Sequence, residues 1–198
     1  MALIRPYEHG DFEAVSRVCL LTGEAGGDGT GVYSSDELLP DIWARPYLVL
    51  SPEFAFVVED ELGIGGYILG VADTRAFARR YAAEWLPELR LRYEHTQPPV
   101  TKDEQMRHLG FTPERMLLPE VDEFPAHLHI DLLPRLQGQG IGRSLILTLI
   151  EALQERGVHG LHLTMDAANT GAAAFYQRLD FTPLGSSTPD APALGLRL

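Results

Sequence analysis

A glycine-rich segment late in the chain is the feature of the sequence that most directly indicates chemistry. It reads Gln137-Gly-Gln-Gly-Ile-Gly142, follows an apolar stretch and precedes an amphipathic one. The glycines leave backbone N–H groups bare at the first turn of a predicted helix, where unpaired donors and a partial positive charge collect. Such a turn binds phosphate. Arg143 and Arg135 could add charge-assisted contacts.

Three phosphate-binding patterns compete for this segment. A P-loop requires Lys followed by Ser or Thr after its last glycine, whereas Arg143-Ser144 follows a shorter glycine pattern here. A dinucleotide fingerprint requires Gly-x-Gly-x-x-Gly, and Gly138-Gln-Gly-Ile-Gly142 has a different spacing. The third pattern, Gln/Arg-x-x-Gly-x-Gly/Ala, is matched at every position of 137–142.

A polar stripe comes just before the glycine segment. Residues 126–133 are typical of a strand, and alternation along a strand places His127, His129 and Asp131 on one face, opposite apolar neighbours. A polar face on a central strand is unexpected unless it lines a cavity. We expect either a reactive site or a hydrogen-bonded buried pair, because buried polar groups must find partners.

The surrounding pattern predicts the elements that position these residues. Apolar stretches predict strands at 2–6, 54–58, 64–71, 126–133, 160–165, 181–184 and 194–198. Helical spacing and caps predict helices between Asp11 and Gly23 and at Asp36–Trp43, Arg75–Arg92, Thr101–Leu109, Gly140–Gly157 and Thr170–Leu179. The second half alternates strand and helix, which indicates an α/β architecture.

Residues 72–122 differ in character from the rest. Aromatic side chains recur there at four-residue steps, Pro87 predicts a kink, and Thr101 with Glu104 predicts a capping box. The region is too short to hold a core of its own. We therefore predict one domain over 1–198 with a helical insertion at about 72–122.

Composition limits the function. The 198 residues carry a net charge of -12, so a nucleic-acid partner is not expected. One cysteine, Cys19, allows no internal disulfide, and no window is apolar enough to span a membrane. With no signal pattern at the N-terminus, we expect a cytoplasmic protein without a membrane partner, as a monomer or a homodimer. The histidines and the cysteine lack the spacing of a zinc site, so no metal is expected.

Two motifs together resemble one family. Residues 137–142 resemble the pyrophosphate-binding loop of the GNAT superfamily of acetyl-CoA-dependent N-acetyltransferases. The segment Asn169-Thr-Gly-Ala-Ala-Ala-Phe-Tyr-Gln-Arg-Leu-Asp-Phe181 resembles the family pattern N-x-x-A-x-x-x-Y-x-K/R-x-G-F, with Asp180 in place of the glycine. The resemblance implies the GNAT acyl-CoA N-acyltransferase fold: a mixed, mostly antiparallel sheet with splayed central strands, flanked by helices. It also implies acetyl-CoA as co-substrate and an amine acceptor, either a peptide lysine or a small molecule.

The resemblance assigns residues to the cofactor as well. The open edge of the central strand, the glycine loop and the second motif would hold acetyl-CoA through Ile130, Leu132, Leu133, Gln137, Gly138, Gln139, Gly140, Ile141, Gly142, Arg143, Ser144, Asn169, Ala172, Phe175, Tyr176 and Arg178.

Catalytic roles follow from the same resemblance. Tyr176 matches the general acid, a phenol near the thioester sulfur, although a helical tyrosine can also simply pack on a sheet. Ala126 stands where some family members carry a glutamate that acts as general base, so the identity of the general base in this chain is undecided. We expect Asp131 to act as the general base, with His129 as second choice and a water chain as a third possibility. The glycine run 23–31, with Asp28, Tyr33 and Trp43, would form one wall of the acceptor site.

The chain also resembles, more narrowly, the GNAT-like C-terminal domain of animal O-GlcNAcases. It is similar to a stand-alone bacterial member of that group. The N-terminal Ile-Arg-Pro-Tyr and the Ser51-Pro-Glu-Phe segment carry this resemblance. Glycoside hydrolysis is not implied, because that active site belongs to another domain. Three functions stay open: an N-acetyltransferase, a catalytically inert acyl-CoA-binding module, and a nucleotide-binding Rossmann protein.

Overall fold

A computed structural model describes residues 2–198, apart from the side chain of Thr170; Met1 of the predicted domain lies outside the described residues. Its strands are β1 (Leu3–Pro6), β2 (Ala55–Asp60), β3 (Gly63–Val71), β4 (Ala126–Leu132), β5 (Gly160–Thr164), β6 (Thr182–Pro183) and β7 (Ala193–Arg197). Its α-helices are α1 (Phe12–Thr22), α2 (Leu38–Trp43), α3 (Arg45–Leu50), α4 (Thr74–Arg80), α5 (Leu86–Arg92), α6 (Lys102–Phe111), α7 (Ile141–Glu155) and α8 (Thr170–Gln177).

The described strands form one sheet in the order β1-β2-β3-β4-β5-β7-β6. All neighbouring pairs are antiparallel except β4 and β5, which are parallel. This confirms the predicted mixed, mostly antiparallel sheet flanked by helices. The strands predicted at 54–58 and 64–71 correspond to β2 and β3, which pair as an antiparallel hairpin.

The sheet opens between its two central strands. β3 and β4 pair over six residues, from Gly66↔Leu132 to Val71↔His127. β4 and β5 pair only at Ala126↔Leu161 and His127↔His162. The strands therefore separate beyond His127, and the second half of β4 has one paired edge and one open edge. This is the splay that the family resemblance implied.

Each face of the sheet carries its own hydrophobic cluster. On one face, α7 and α8 pack on the sheet through buried residues such as Leu145, Leu149 and Tyr176. On the other face, α1, α3 and the helices of the 72–122 region pack together around Tyr67 and Trp85. The helical insertion therefore shares its core with α1 and β3.

The insertion is less regular than predicted. The expected helix Arg75–Arg92 consists of α4, a π-helical turn at Tyr81–Trp85, and α5. Pro87 lies in the first turn of α5, and the N–H of Leu86 donates to the carbonyl of Tyr81 across the wider turn. Since proline has no N–H to donate, the helix changes pitch before it.

One predicted helix cap is present, and one helix is present that was not predicted. The predicted capping box of Thr101 and Glu104 is present at the start of α6. Helix α3 was not predicted. It begins at Arg45, whose guanidinium is buried against Asp41 at 2.9 Å, and Pro46 lies in its first turn. The pair neutralises a charge that would otherwise make this stretch an improbable buried helix.

Candidate active site

The structure explains why glycine occupies three positions of the 137–142 loop. Gly138 and Gly140 have φ values of 72° and 80°, a left-handed conformation that side chains with a Cβ rarely adopt. Gly142 has ordinary backbone, but a Cβ there would lie 3.3 Å from the Phe175 ring. The first two glycines bend the chain into the loop, and the third lets α7 approach α8 closely.

The loop presents a row of unpaired donors. Within the described chain, the backbone N–H groups of 138–143 have no protein acceptor, and the first helical bond of α7 runs from Ser144 to the carbonyl of Gly140. Two side chains hold the loop in place without using its backbone N–H groups. Gln137 Nε2 donates to the carbonyl of Leu132 at 2.8 Å, and Gln139 Nε2 donates to the carbonyl of Arg135 at 2.7 Å. The result is a turn with unpaired donors at a helix N-terminus, an arrangement that can bind an anion.

The arginines beside the loop behave differently from each other. Arg135 donates to Asp60 at 2.9 Å and to the carbonyl of Gly63 at 3.3 Å. Its guanidinium is therefore engaged by a carboxylate and is less suited to the phosphate contact considered for it. Arg143 and Ser144 lie exposed on the first turn of α7. Arg143 is thus the loop's available cation.

The open edge of β4 leads directly to the loop. The N–H of Leu133 donates to the carbonyl of Gly65 on the β3 side. Because backbone groups alternate along a strand, the N–H groups of Ile130 and Leu132 point the other way, into the gap beside β5. The edge can therefore bind an extended chain as though it were another strand.

Helix α8 forms the far side of the gap. Asn169 caps it, accepting from the N–H of Ala172 at 3.2 Å. Phe175 lies against the loop through Gly142, and Tyr176 is buried with its ring against Phe175. Arg178, just past the end of α8, is exposed. The loop, α8 and β4 meet at Gly142, where a Cβ would lie 3.3 Å from Phe175 and 3.5 Å from Leu132.

The structure brings the two candidate bases together through a third residue. Tyr67, on β3, donates its hydroxyl to Asp131 Oδ2 at 2.5 Å, and His129 Nδ1 lies 3.3 Å from the same hydroxyl. His129 Nε2 lies 3.7 Å from Asp131 Oδ2. Tyr67 was missed in the sequence because no motif marks it. The signal was a lone polar-tipped aromatic in the otherwise apolar strand Gly63–Val71, which stands opposite Asp131 in the register.

Burial sets the protonation of this cluster. It raises the pKa of the Asp131 carboxyl, against the opposing effects of His129 and of the Tyr67 hydroxyl. It lowers the pKa of His129, so that imidazole is neutral near pH 7. Burial, with the charge of Asp131, also raises the pKa of Tyr176 above its usual value. A carboxylate made more basic and a phenol kept protonated are suited to accept and donate a proton.

His127, the third member of the polar stripe, is a structural residue. Thr74 Oγ1 donates to the carbonyl of Pro125 at 2.7 Å and lies 2.8 Å from His127 Nδ1, so it accepts the proton of that nitrogen. Nε2 then accepts from the Tyr47 hydroxyl at 2.9 Å. Both ring nitrogens are satisfied with the ring neutral. His162, on β5, is buried in the sheet, and its Nδ1 lies 2.7 Å from the carbonyl oxygen of Phe124.

A small cavity adjoins His129 on this side of the sheet. Its volume is about 50 Å³, and its walls come from Trp43, Arg115, both core histidines and the diverging ends of β4 and β5. Trp43 stacks on His129, with ring centroids 5.8 Å apart, and the Arg115 guanidinium lies over the Trp43 ring, 4.2 Å from its centroid. Arg115 was also missed, since a single arginine in a helical insertion has no distinguishing sequence signal.

The glycine run 23–31 was expected to form one wall of the acceptor site together with Asp28, Tyr33 and Trp43. Of the three residues named with it, Trp43 lines the cavity. Asp28 bonds the backbone and hydroxyl of Thr30, and Tyr33 contacts Glu24 at 3.4 Å. The run does reach the start of α8, where a Cβ at position 26 would lie 3.9 Å from Asn169 Nδ2.

The acidic segment 120–123 is held by local partners. Glu120 accepts from the N–H of Ser186 at 2.8 Å, Asp122 pairs with Arg75, and Glu123 pairs with Arg197. These carboxylates tie the chain before β4 to neighbouring elements.

The fold, with its opened central strands and its glycine loop before α7, is that of the GNAT class. The Acetyltransferase (GNAT) family matches residues 32–181, and the chain belongs to that family. It is similar to the structure described as SsHAT, with 46% identity, a TM-score of 0.93, and coverage of 99% of this chain and 98% of that one.

Curated relatives are more distant. Protein O-GlcNAcase of Rattus norvegicus is 29% identical over 183 residues, which are 89% of this chain and 19% of that protein. The chain thus spans about a fifth of that relative's length. Mycothiol acetyltransferase of Arthrobacter sp. (strain FB24) is 42% identical over 53 residues, which are 27% of this chain and 16% of that protein.

Two features are absent from the part of the chain that the structure describes. Within 2–198, no group of three or more His, Cys, Asp or Glu side chains is placed to hold a metal ion. None of the described helices has the length and apolar character needed to cross a bilayer.

Proposed function

We propose that this protein is an acetyl-CoA-dependent N-acetyltransferase that acetylates a primary amine. The observation that carries the proposal is the continuity of the open β4 edge with the unpaired amides of 138–143. An extended pantetheine arm needs backbone partners along its length and a positive turn at its pyrophosphate end. The edge at Ile130 and Leu132 offers the first, and the loop before α7 offers the second.

Several features of the loop and of its neighbours support this co-substrate. The left-handed glycines at 138 and 140 hold the loop open, and Gln137 and Gln139 lock it from outside. Arg143 and Ser144 stand at its rim, Leu133 and Ile141 flank it, and α8 supplies Asn169, Ala172, Phe175 and Arg178 along the opposite wall.

The reaction requires two proton transfers. Acetyl-CoA supplies the acetyl group as a thioester; the amine nitrogen forms a bond to the carbonyl carbon, and the carbon–sulfur bond breaks. The proton leaving the amine goes to Asp131, whose basicity is raised by burial, or to the neighbouring neutral His129. Tyr176 donates a proton to the departing thiolate. The acceptor is either a peptide lysine or a small-molecule amine, and the enzyme acts in the cytoplasm as a monomer or homodimer.

Calorimetric titration with acetyl-CoA tests binding, using a matched pair of variants at one position. A Cβ at Gly138 meets no atom within 4 Å, and both Asp and Asn tolerate its left-handed backbone. Gly138→Asp places a carboxylate beside the loop, whereas Gly138→Asn has nearly the same shape without charge. We expect the Asp variant to bind acetyl-CoA at least about 10-fold more weakly than the Asn variant. Equal affinities would contradict a pyrophosphate site in this loop.

Turnover tests the catalytic roles. Asp131→Asn and Tyr176→Phe keep the shapes of the side chains and should each reduce kcat by about 10²- to 10⁴-fold with an amine panel, with acetyl-CoA affinity retained. Release of CoA thiol measures the rate. If both variants acetylate normally, the two assignments are wrong.

A second candidate is a catalytically inert acyl-CoA-binding module. It is favoured by Ala126, which offers no base at the start of β4, and by the Tyr67 hydroxyl, which already donates to Asp131. This candidate predicts tight acetyl-CoA binding with no thiol release for any amine.

A further inference from the structure

The half-buried arginines of this protein follow a rule with one exception. Four of those in the described chain that are not fully exposed each contact a carboxylate: Arg5 with Asp11, Arg45 with Asp41, Arg107 with Asp103 and Arg135 with Asp60. Arg115 is also half-buried, but no carboxylate among residues 2–198 lies within 4 Å of it. In a chain of net charge -12, a half-buried arginine without a carboxylate partner is unusual and indicates a position where an external anion could bind.

The protein holds the Arg115 guanidinium in a fixed direction. Nε donates to the carbonyl of Leu109 at 2.8 Å, and the planar group stacks on Trp43 at 4.2 Å from the ring centroid. The described chain offers the terminal nitrogens no hydrogen-bond acceptor. A guanidinium fork that is stacked and anchored at Nε presents its remaining donors in one plane, which is the geometry that binds a carboxylate.

Those donors belong to the wall of the cavity beside the candidate base. Arg115, Trp43 and His129 follow one another as a stack, and all three line the same 50 Å³ space. That volume corresponds to roughly four water positions. It holds a carboxylate and a short carbon stem, but not a bulky group. A buried cation there costs free energy unless an anion joins it.

We propose that Arg115 is a specificity-determining residue that binds a carboxylate on the acceptor, so that the preferred acceptor is a small amine that also carries a carboxylate. With the carboxylate on the guanidinium, the amine a few atoms away would face His129, which lines the same cavity and whose Nε2 lies 3.7 Å from Asp131 Oδ2. This inference rests on the proposed acetyltransferase function and narrows its acceptor class.

The test compares small amino acids with their carboxamides as acceptors, by thiol release at saturating acetyl-CoA. The pairs differ only in the group that Arg115 would bind. Wild type should favour the carboxylates in kcat/KM by about 10- to 100-fold, as expected of a charge-assisted hydrogen bond. Arg115→Gln should abolish that preference and leave the carboxamides nearly unchanged, while Arg115→Lys should retain part of it. Arg79→Gln, at an exposed position on α4, should behave as wild type.

A second measurement does not depend on turnover. Propionate titrated into wild type should bind, and propionamide should not; propionate binding should be lost in Arg115→Gln, whose thermal unfolding reports whether the fold persists. Equal kcat/KM for carboxylates and carboxamides, or equal loss of both in Arg115→Gln, would overturn the proposal. If acetyl-CoA binding or all turnover is absent from wild type, the proposed function fails; propionate binding then still decides whether Arg115 forms a carboxylate site.

Discussion

His127 should make the stability of this protein steeply dependent on pH in the weakly acidic range. The ring is buried between Tyr47 and Thr74, and both of its nitrogens are used only when it is neutral. Burial lowers the pKa of His127 well below its usual value and also lowers the pKa of His162. Both rings therefore stay neutral in the folded state at a pH where they would be protonated in the unfolded chain.

The sign and size of the effect follow from proton linkage. Below about pH 6.5 the unfolded state binds a proton at each histidine that the folded state does not, so the free energy of unfolding falls as pH falls. Each such histidine contributes a slope of about 1.4 kcal/mol per pH unit, so the two together give about 2.8, and His129, whose pKa is also lowered by burial, acts in the same direction. Asp131 opposes this, because its raised pKa lets the folded state take up a proton, but it is the same in every variant compared.

Urea unfolding between about pH 5 and pH 7.5, followed by tryptophan fluorescence, measures the slope. His127→Gln should reduce it by about 1.4 kcal/mol per pH unit, one proton's worth. Tyr47→Phe is the matched control: it removes a hydrogen bond and about 1 kcal/mol of stability at every pH, but keeps the titrating ring and hence the slope. An unchanged slope in His127→Gln would refute the reasoning.

Three further predictions concern backbone conformation and capping. Asp180 has a φ of 63°, so Asp180→Gly should be more stable than Asp180→Ala by about 1 kcal/mol in denaturant unfolding; equal midpoints would argue against strain there. Thr101→Ala should cost about 1 kcal/mol through loss of the capping box, seen as a lower Tm, and an unchanged Tm would contradict it. Gly140→Ala should cost about 1–2 kcal/mol, whereas Gly10→Ala, which meets no neighbour and has no positive φ, should cost little; similar losses would contradict a conformational role for Gly140.

Features with a local signal were predictable from the sequence. Helix α7 was expected over 140–157 and spans Ile141–Glu155, because its apolar residues recur at helical spacing after a glycine turn. The loop before it was identified from residue types alone, since left-handed backbone and close packing both select glycine. The strand carrying His129 and Asp131 was placed by its alternation.

Features that depend on distant partners were not predictable. Tyr67 acquires its role only because the register of β3 sets it opposite Asp131. Among the described arginines that are not exposed, Arg115 differs from the other four in having no carboxylate within 4 Å, which no sequence pattern encodes. The polar stripe on β4 was read as a unit, yet His127 is structural because Thr74 and Tyr47 happen to meet it.

The open edge of β4 implies an alternating pattern of amide hydrogen exchange along a single strand. The N–H groups of His129 and Asp131 face β3 and are locked in its ladder, whereas those of Ile130 and Leu132 face the gap. Solvent should thus exchange every second amide of this segment rapidly, although all four lie in the middle of the sheet. A central strand that looks uniformly rigid would in this respect behave as an interior strand on one side and an edge strand on the other.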